Sequence, residues 1–211
     1  MKILENEKLK VFDEHQNQIG IASREEVHLL GHWHEAFHCW FVSREEDECY
    51  IYLQIRSEMK KDYPNLIDIT AAGHLLAHES IEDGIREIKE EIGIEVSFNE
   101  LIPAGVFKYS VVKGKFIDNE LAHIFLYETN HTLLDFTLQM EEVSGIVKVR
   151  FSEFYELWVG KKEEVNILGF EINNEGQRTS INRLVGRNDF VPHESTYYEH
   201  IFTSIKKIIE E

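Results

Sequence analysis

Between Ser80 and Ile92 the chain carries Ile81, Ile85, Ile88 and Ile92 at spacings of four, three and four, which on an α-helix form one apolar stripe committed to a core. Gly93 follows directly and is a helix stop. On the same helix Glu87, Glu90 and Glu91 fall within roughly 100° of arc, centred about 130° from the isoleucines. The spacing therefore predicts three carboxylates sharing one exposed face. Like charges three and four residues apart weaken an isolated helix by about a few tenths of a kcal/mol per pair, so the arrangement is unfavourable unless a cation occupies it. Hard oxygen ligands so spaced suit Mg²⁺, which binds through a few carboxylates plus substrate phosphates. From spacing alone, a solvated acidic face is the plainer alternative.

Composition limits the partners. The 211 residues, 43% hydrophobic, supply ample apolar surface for one large or two small domains. Against 22 basic residues stand 39 acidic ones, a net charge of −17. That charge repels a polyphosphate backbone, so nucleic acid is excluded as a general partner and cations are favoured. An anionic small substrate then needs a local positive centre, either clustered Arg and Lys or a metal ion. The opening Met1 to Lys8 lacks the apolar stretch of a secretory leader, and no apolar run approaches the roughly 20 residues of a membrane span. The expectation is a cytoplasmic protein without a membrane partner. Cys39 and Cys49 are the only cysteines and read as reduced packing residues on neighbouring strands.

Periodicity predicts one α+β domain over 1–211. Residues 1–30 form an N-terminal hairpin and a short helix, which begins at the capping-box sequence Ser23 to Glu26. In the core, 31–160, residues 34–43 and 49–57 form a second hairpin, 66–70 a short strand, and Ala71 to Gly73 a break. A continuous helix runs from Ser80 to Ile92, with strands near 101–112, 119–128 and 144–150 and a helix near 152–159. The extension, 161–211, ends in an amphipathic helix over 197–209.

The string from Gly73 to Ile94 resembles the Nudix box, G-x5-E-x7-R-E-U-x-E-E-x-G-U with U aliphatic. Its second half, Arg86-Glu87-Ile88-Lys89-Glu90-Glu91-Ile92-Gly93-Ile94, matches at every fixed position. In the first half Gly73 and Glu79 keep their mutual spacing, but six residues rather than seven separate Glu79 from Arg86. The resemblance implies a Nudix α/β/α sandwich, a mixed β-sheet between helices. It implies Mg²⁺ or Mn²⁺ held by Glu87, Glu90, Glu91 and the Gly73 carbonyl, with Glu79 and Arg86 pairing structurally. It also implies hydrolysis of a small-molecule diphosphate by water attack on phosphorus.

From about Leu9 to Glu153 the chain is also similar to the Nudix subgroup related to isopentenyl diphosphate isomerase. The residues that carry this are Ser23 to His28, Trp33 to His38 and Asp68 to His74. It implies a second metal site at His34, His74, Asp118 and Glu120, with His28 a looser match. The isomerases place a proton-transferring cysteine directly before the Gly-His pair, where this chain has Ala72, and they lose most of the R-E-U-x-E-E string, which this chain keeps. Both differences favour hydrolysis over isomerisation; a diphosphate-binding domain without catalysis is the other alternative.

Among the remaining residues, His34 and His38 alternate onto one face of a strand, so His32, His34 and His38 read either as a metal cluster or as ordinary packed histidines. Arg56 and Lys60 match positions where the isomerase-like group contacts diphosphate. Glu142, and after it Glu141, occupy the place of a loop glutamate acting as general base; Glu91 is the other base. The tail from Gly160 either caps the pocket or makes a homodimer contact. The organic part of the substrate is read as a nucleoside diphosphate sugar or similar nucleotide, an isoprenyl group or a thiamin-like group.

Overall fold

The computed structural model describes residues 7–173 and 175–210. The opening 1–6, part of the stretch read for a leader, lies outside them. Along the chain come β1 (Lys8–Phe12), β2 (Gln18–Ser23), α1 (Arg24–Leu30), β3 (Trp33–Glu45), β4 (Glu48–Arg56), β5 (Ile67–Asp68) and β6 (Ala71–His74). A 3₁₀ turn at Glu82–Ile85 leads into α2 (Arg86–Ile92). Then follow β7 (Ile102–Lys113), β8 (Phe116–Glu128), β9 (Val143–Arg150), α3 (Phe151–Trp158), β10 (Glu164–Ile172), β11 (Arg178–Gly186) and α4 (Ser195–Glu210). No helix among the described residues is long and apolar enough to cross a membrane.

The strands join in one mixed sheet. Its path runs β11-β10-β9-β4-β3-β1-β2, with β8 beside β3 in parallel and β7 antiparallel to β8. Alternation along β3 sets the two faces. Phe37, Cys39 and Phe41 pack with Ile88 and Ile92 of α2, whereas Trp40 and Val42 pack with Phe154 of α3 and Tyr197, Ile201 and Ile205 of α4. Each buried isoleucine contributes roughly 1.5–3 kcal/mol. Helices thus cover both faces, the sandwich that the resemblance implied.

Three expectations need correction. Ala71 to Gly73 is not a break: β6 pairs antiparallel with β3, placing His74 opposite Ala36 and Gly73 opposite Phe37. The helix expected from Ser80 begins only at Arg86. Gly84 presses against Phe37 and Leu75 so closely that a Cβ there would lie 2.8 Å from each, and the chain turns as a tighter 3₁₀ segment before α2. The region 160–195, read without strands, contributes the β10–β11 hairpin, which lengthens the sheet beyond β9.

Candidate functional site

The first turns of α2 sit against β6. Gly73 lets the Glu87 carboxylate lie against the strand: a Cβ there would lie 2.2 Å from Glu87 Oε1 and would push that carboxylate away. The Ala72 N–H donates to Glu91 Oε2 at 3.1 Å. The carboxylate face is therefore not the open solvent face expected from the helix. Glu91 is buried and the Glu87 side chain only 13% exposed; Glu90 alone, at 54%, faces water. Burial, reinforced by Glu87, pushes the Glu91 carboxyl up to about 8. Burial also raises Glu87, to about 7, against the pull of Arg86. Two sequestered acids with oxygen donors and a glycine cradle beside them fit a hard divalent ion, which would relieve their repulsion.

Arg86 holds the loop before the helix. It donates from Nε and Nη2 to the two oxygens of Glu79, from Nη2 to the His74 carbonyl at 3.2 Å, and from Nη1 to Glu87 and Glu90 at 2.7 and 3.0 Å. The one-residue deficit between Glu79 and Arg86 thus leaves their pairing in place.

Where β4 ends, Arg56 donates to Asp68 Oδ2 at 2.8 Å and to the Asp62 carbonyl, while Lys60 forms an ion pair with Glu142. The loop carrying Glu142 is tied to α2 and β4 through Gln139 N–H to Glu91 C=O and Ser57 N–H to Glu142 C=O. Arg56, Lys60, Glu142, the exposed Glu141 and the α2 glutamates line one cavity of about 820 Å³.

His74 and Asp118, which also line this cavity, belong to a second cluster that reaches into the wall behind it. One ligand atom from each of His28, His34, His74 and Asp118 lies within 4.8 Å of the others. His28 Nε2 and His34 Nε2 stand 3.3 and 3.4 Å from Asp118 Oδ1, and all three atoms are buried without a hydrogen-bond partner. Their rings are oriented from behind: His28 Nδ1 faces the Arg24 carbonyl at 2.7 Å and His34 Nδ1 the His32 carbonyl at 3.1 Å. The Nδ1 atoms then carry the hydrogens and the Nε2 lone pairs point inward, as in metal-ligating histidines. Burial lowers His34, and drops His74 to about 3, keeping both imidazoles neutral. The donor set fits a divalent ion of intermediate softness.

His28, the looser match, is a full member of this group. Glu120 stands behind it, with Oε1 3.5 Å from His74 and Oε2 3.2 Å from His38. His38 is separated from the cluster: its Nδ1 meets the Tyr197 hydroxyl at 2.8 Å. His32 contributes only its carbonyl. Cys39 faces the other side of β3, in the core with Ile88, and burial raises its thiol far above the usual range. Sequence reasoning gave no role to Asp68, Tyr109 or His193, which also line the cavity. Asp68 stood within a quoted motif; His193 lies in the tail, where no pattern pointed to it.

Comparison with known proteins agrees with this architecture. The NUDIX domain family matches residues 32–168. An uncharacterised Nudix hydrolase of Clostridium acetobutylicum is 41% identical over 202 residues, covering 96% of this chain and 98% of the relative. An isopentenyl-diphosphate Δ-isomerase of Photorhabdus laumondii is 23% identical, covering 82% of this chain and 98% of its own. The crystal structure of a MutT/nudix family protein from Enterococcus faecalis shares the fold, with a TM-score of 0.54 at 14% identity over 82% of this chain and 62% of that one.

Proposed function

Because the chain belongs to the Nudix hydrolase family, whose members generally use divalent metals such as Mg²⁺ or Mn²⁺, we propose that it cleaves the diphosphate linkage of a small nucleoside-diphosphate-type or other organic diphosphate. The observation that carries this reading is the pair of buried acids, Glu87 and Glu91, packed against Gly73 in a cavity that also holds Arg56 and Lys60. Glu87, Glu90, Glu91 and the Gly73 carbonyl would hold Mg²⁺ or Mn²⁺. When bound, such an ion neutralises phosphate charge and lowers the pKa of its water.

Within that cavity Arg56 and Lys60 orient the diphosphate. Lys60 is the more available of the two once it leaves Glu142, since Arg56 is fastened to Asp68 and Asp62. Glu142, released in the same exchange, and Glu91 are the two carboxylates that can accept the proton of the attacking water. Arg86 and Glu79 fix the approach of β6 to α2. His28, His34, His74 and Asp118 would hold a second divalent ion that accepts imidazole nitrogen, Zn²⁺ or Mn²⁺ before Mg²⁺.

The histidine cluster and the 23% relative favour a second reading, isomerase-like chemistry on an isopentenyl-type diphosphate. Ala72 opposes it, since a methyl group transfers no proton. The test is a panel of organic diphosphates with Mg²⁺ or Mn²⁺, scored both for monophosphate release and for double-bond migration. The hydrolytic reading predicts monophosphate release that falls by about two to four orders of magnitude in Glu91→Gln. Undiminished turnover in that variant contradicts the site assignment, and double-bond migration favours the second reading.

A further inference from the structure

A hydrogen-bonded chain links the C-terminal extension to Arg56 through Asp68. Segment 190–193 lies beside β5: Phe190 bridges Ile67 in parallel, and the Val191 N–H donates to the Ile67 carbonyl at 2.9 Å. This docking brings His193 over Asp68. The ring Nε2 meets Asp68 Oδ1 at 2.8 Å and Nδ1 meets the Tyr109 hydroxyl at 3.1 Å, with the His193 side chain 7% exposed. Burial acts to raise Asp68, but His193 and Arg56 outweigh it and hold the carboxyl far below its usual range. Asp68 is thus a fixed carboxylate, and the imidazole donates to it from Nε2.

The arrangement decides how much of Arg56 is left for a ligand. An Arg facing a free carboxylate closes on it with two parallel N–H bonds. Here Asp68 Oδ1 already accepts from His193 and from the Ile69 N–H at 2.8 Å, so its two lone pairs are filled. Arg56 reaches only Oδ2, through one N–H of Nη1, and its Nε and Nη2 each donate to the Asp62 carbonyl. Of the five N–H bonds of a guanidinium, three are engaged and two remain.

We propose that His193, outside the 32–168 family match, is a positioning residue for anion recognition: by occupying Asp68 it prevents a closed Arg56–Asp68 pair and leaves Arg56 two N–H bonds for a phosphate oxygen. The proposal rests on the diphosphate part of the functional reading and on none of its hydrolytic steps. It gives the extension a task, namely fixing a cation in a cavity crowded with carboxylates.

The test is calorimetric titration with inorganic pyrophosphate and Mg²⁺ on the full chain, comparing wild type with His193→Ala, His193→Gln and His193→Asn. The Gln amide reaches the position of the ring Nε2 and keeps a donor on Asp68; the Asn amide mimics Nδ1 and does not. The expected result is affinity about tenfold lower in the Ala and Asn variants and within about threefold of wild type in Gln. Mn²⁺ binding without pyrophosphate stays unchanged in all of them. Equal affinity across the series, Gln falling with Ala, parallel loss of Mn²⁺ binding, or a wild type that binds no pyrophosphate each overturns the proposal. Should Ala fail to fold, the Gln–Asn difference decides. If wild type binds pyrophosphate with this pattern yet hydrolyses no organic diphosphate, the hydrolytic reading fails and this one stands.

Discussion

The glutamate end and the histidine end of the cavity meet at neighbouring residues of β6, Gly73 and His74, yet they are assembled by different means. The glutamate end is a local object: one short helix supplies Glu87, Glu90 and Glu91, and its partner strand contributes a glycine and a backbone N–H. The histidine end is a tertiary object, with His28 from α1, His34 from β3, His74 from β6 and Asp118 from β8. Their resting electrostatics differ as well. Burial raises Glu87 and Glu91 in the first site, whereas in the second it lowers His34 and His74, leaving those two imidazoles neutral, and raises Asp118. A local site can be described by a motif, and its proton occupancy then governs its affinity. A dispersed site is defined by register, and burial keeps protons off the His34 and His74 donors.

Breaking the dispersed end alone gives the sharpest contrast. His74→Ala should remove roughly one equivalent of Mn²⁺ or Zn²⁺ per chain, read by elemental analysis after dialysis, while Mg²⁺ binding at the glutamates persists. Loss of both ions together would mean the two ends form one site. A smaller effect tests the glycine cradle. Gly73→Ala places a methyl 2.2 Å from Glu87 Oε1 and must displace that carboxylate, so Mg²⁺ affinity should fall by about 10- to 100-fold with the histidine-end metal retained. Unchanged Mg²⁺ affinity in that variant would remove Gly73 and Glu87 from the ion's surroundings.

Much of the glutamate end was legible in the sequence because the isoleucine stripe fixes which way α2 faces. What spacing did not convey was the surroundings of that face. Ala71 to Gly73 looks like a break because alanine and glycine carry little strand preference, so β6 and the burial it imposes on Glu87 and Glu91 were missed. The 3₁₀ turn went unread because it depends on Gly84 touching Phe37, a contact made only in the folded chain. At the other end, His74 was readable only through family resemblance; strand alternation pointed to His34 but grouped it with His32 and His38, and His28 was underweighted because nothing local says that α1 points toward His74 and Asp118. The β10–β11 hairpin was legible in principle: Val165 and Ile167 alternate, and Gly176 marks the turn at φ 76°. His193 was not, since its docking beside β5 is a tertiary contact of a segment without periodic pattern.

The central claim is that buried acids on α2 take up a divalent ion. Glu87 and Glu91 have folded-state pKa values raised to about 7 and about 8 from an ordinary 4.5, so below those values they hold protons that an ion must displace. Affinity should therefore be weak at low pH and rise through this window. Calorimetric titration of the His74→Ala protein with Mn²⁺ at pH 6 and pH 8.5, in two buffers of different ionisation enthalpy, tests it directly. The account predicts about tenfold or greater tightening at the higher pH, with proton release at pH 6. Absence of binding at both pH values, or binding of equal strength at both with no proton released, would contradict it.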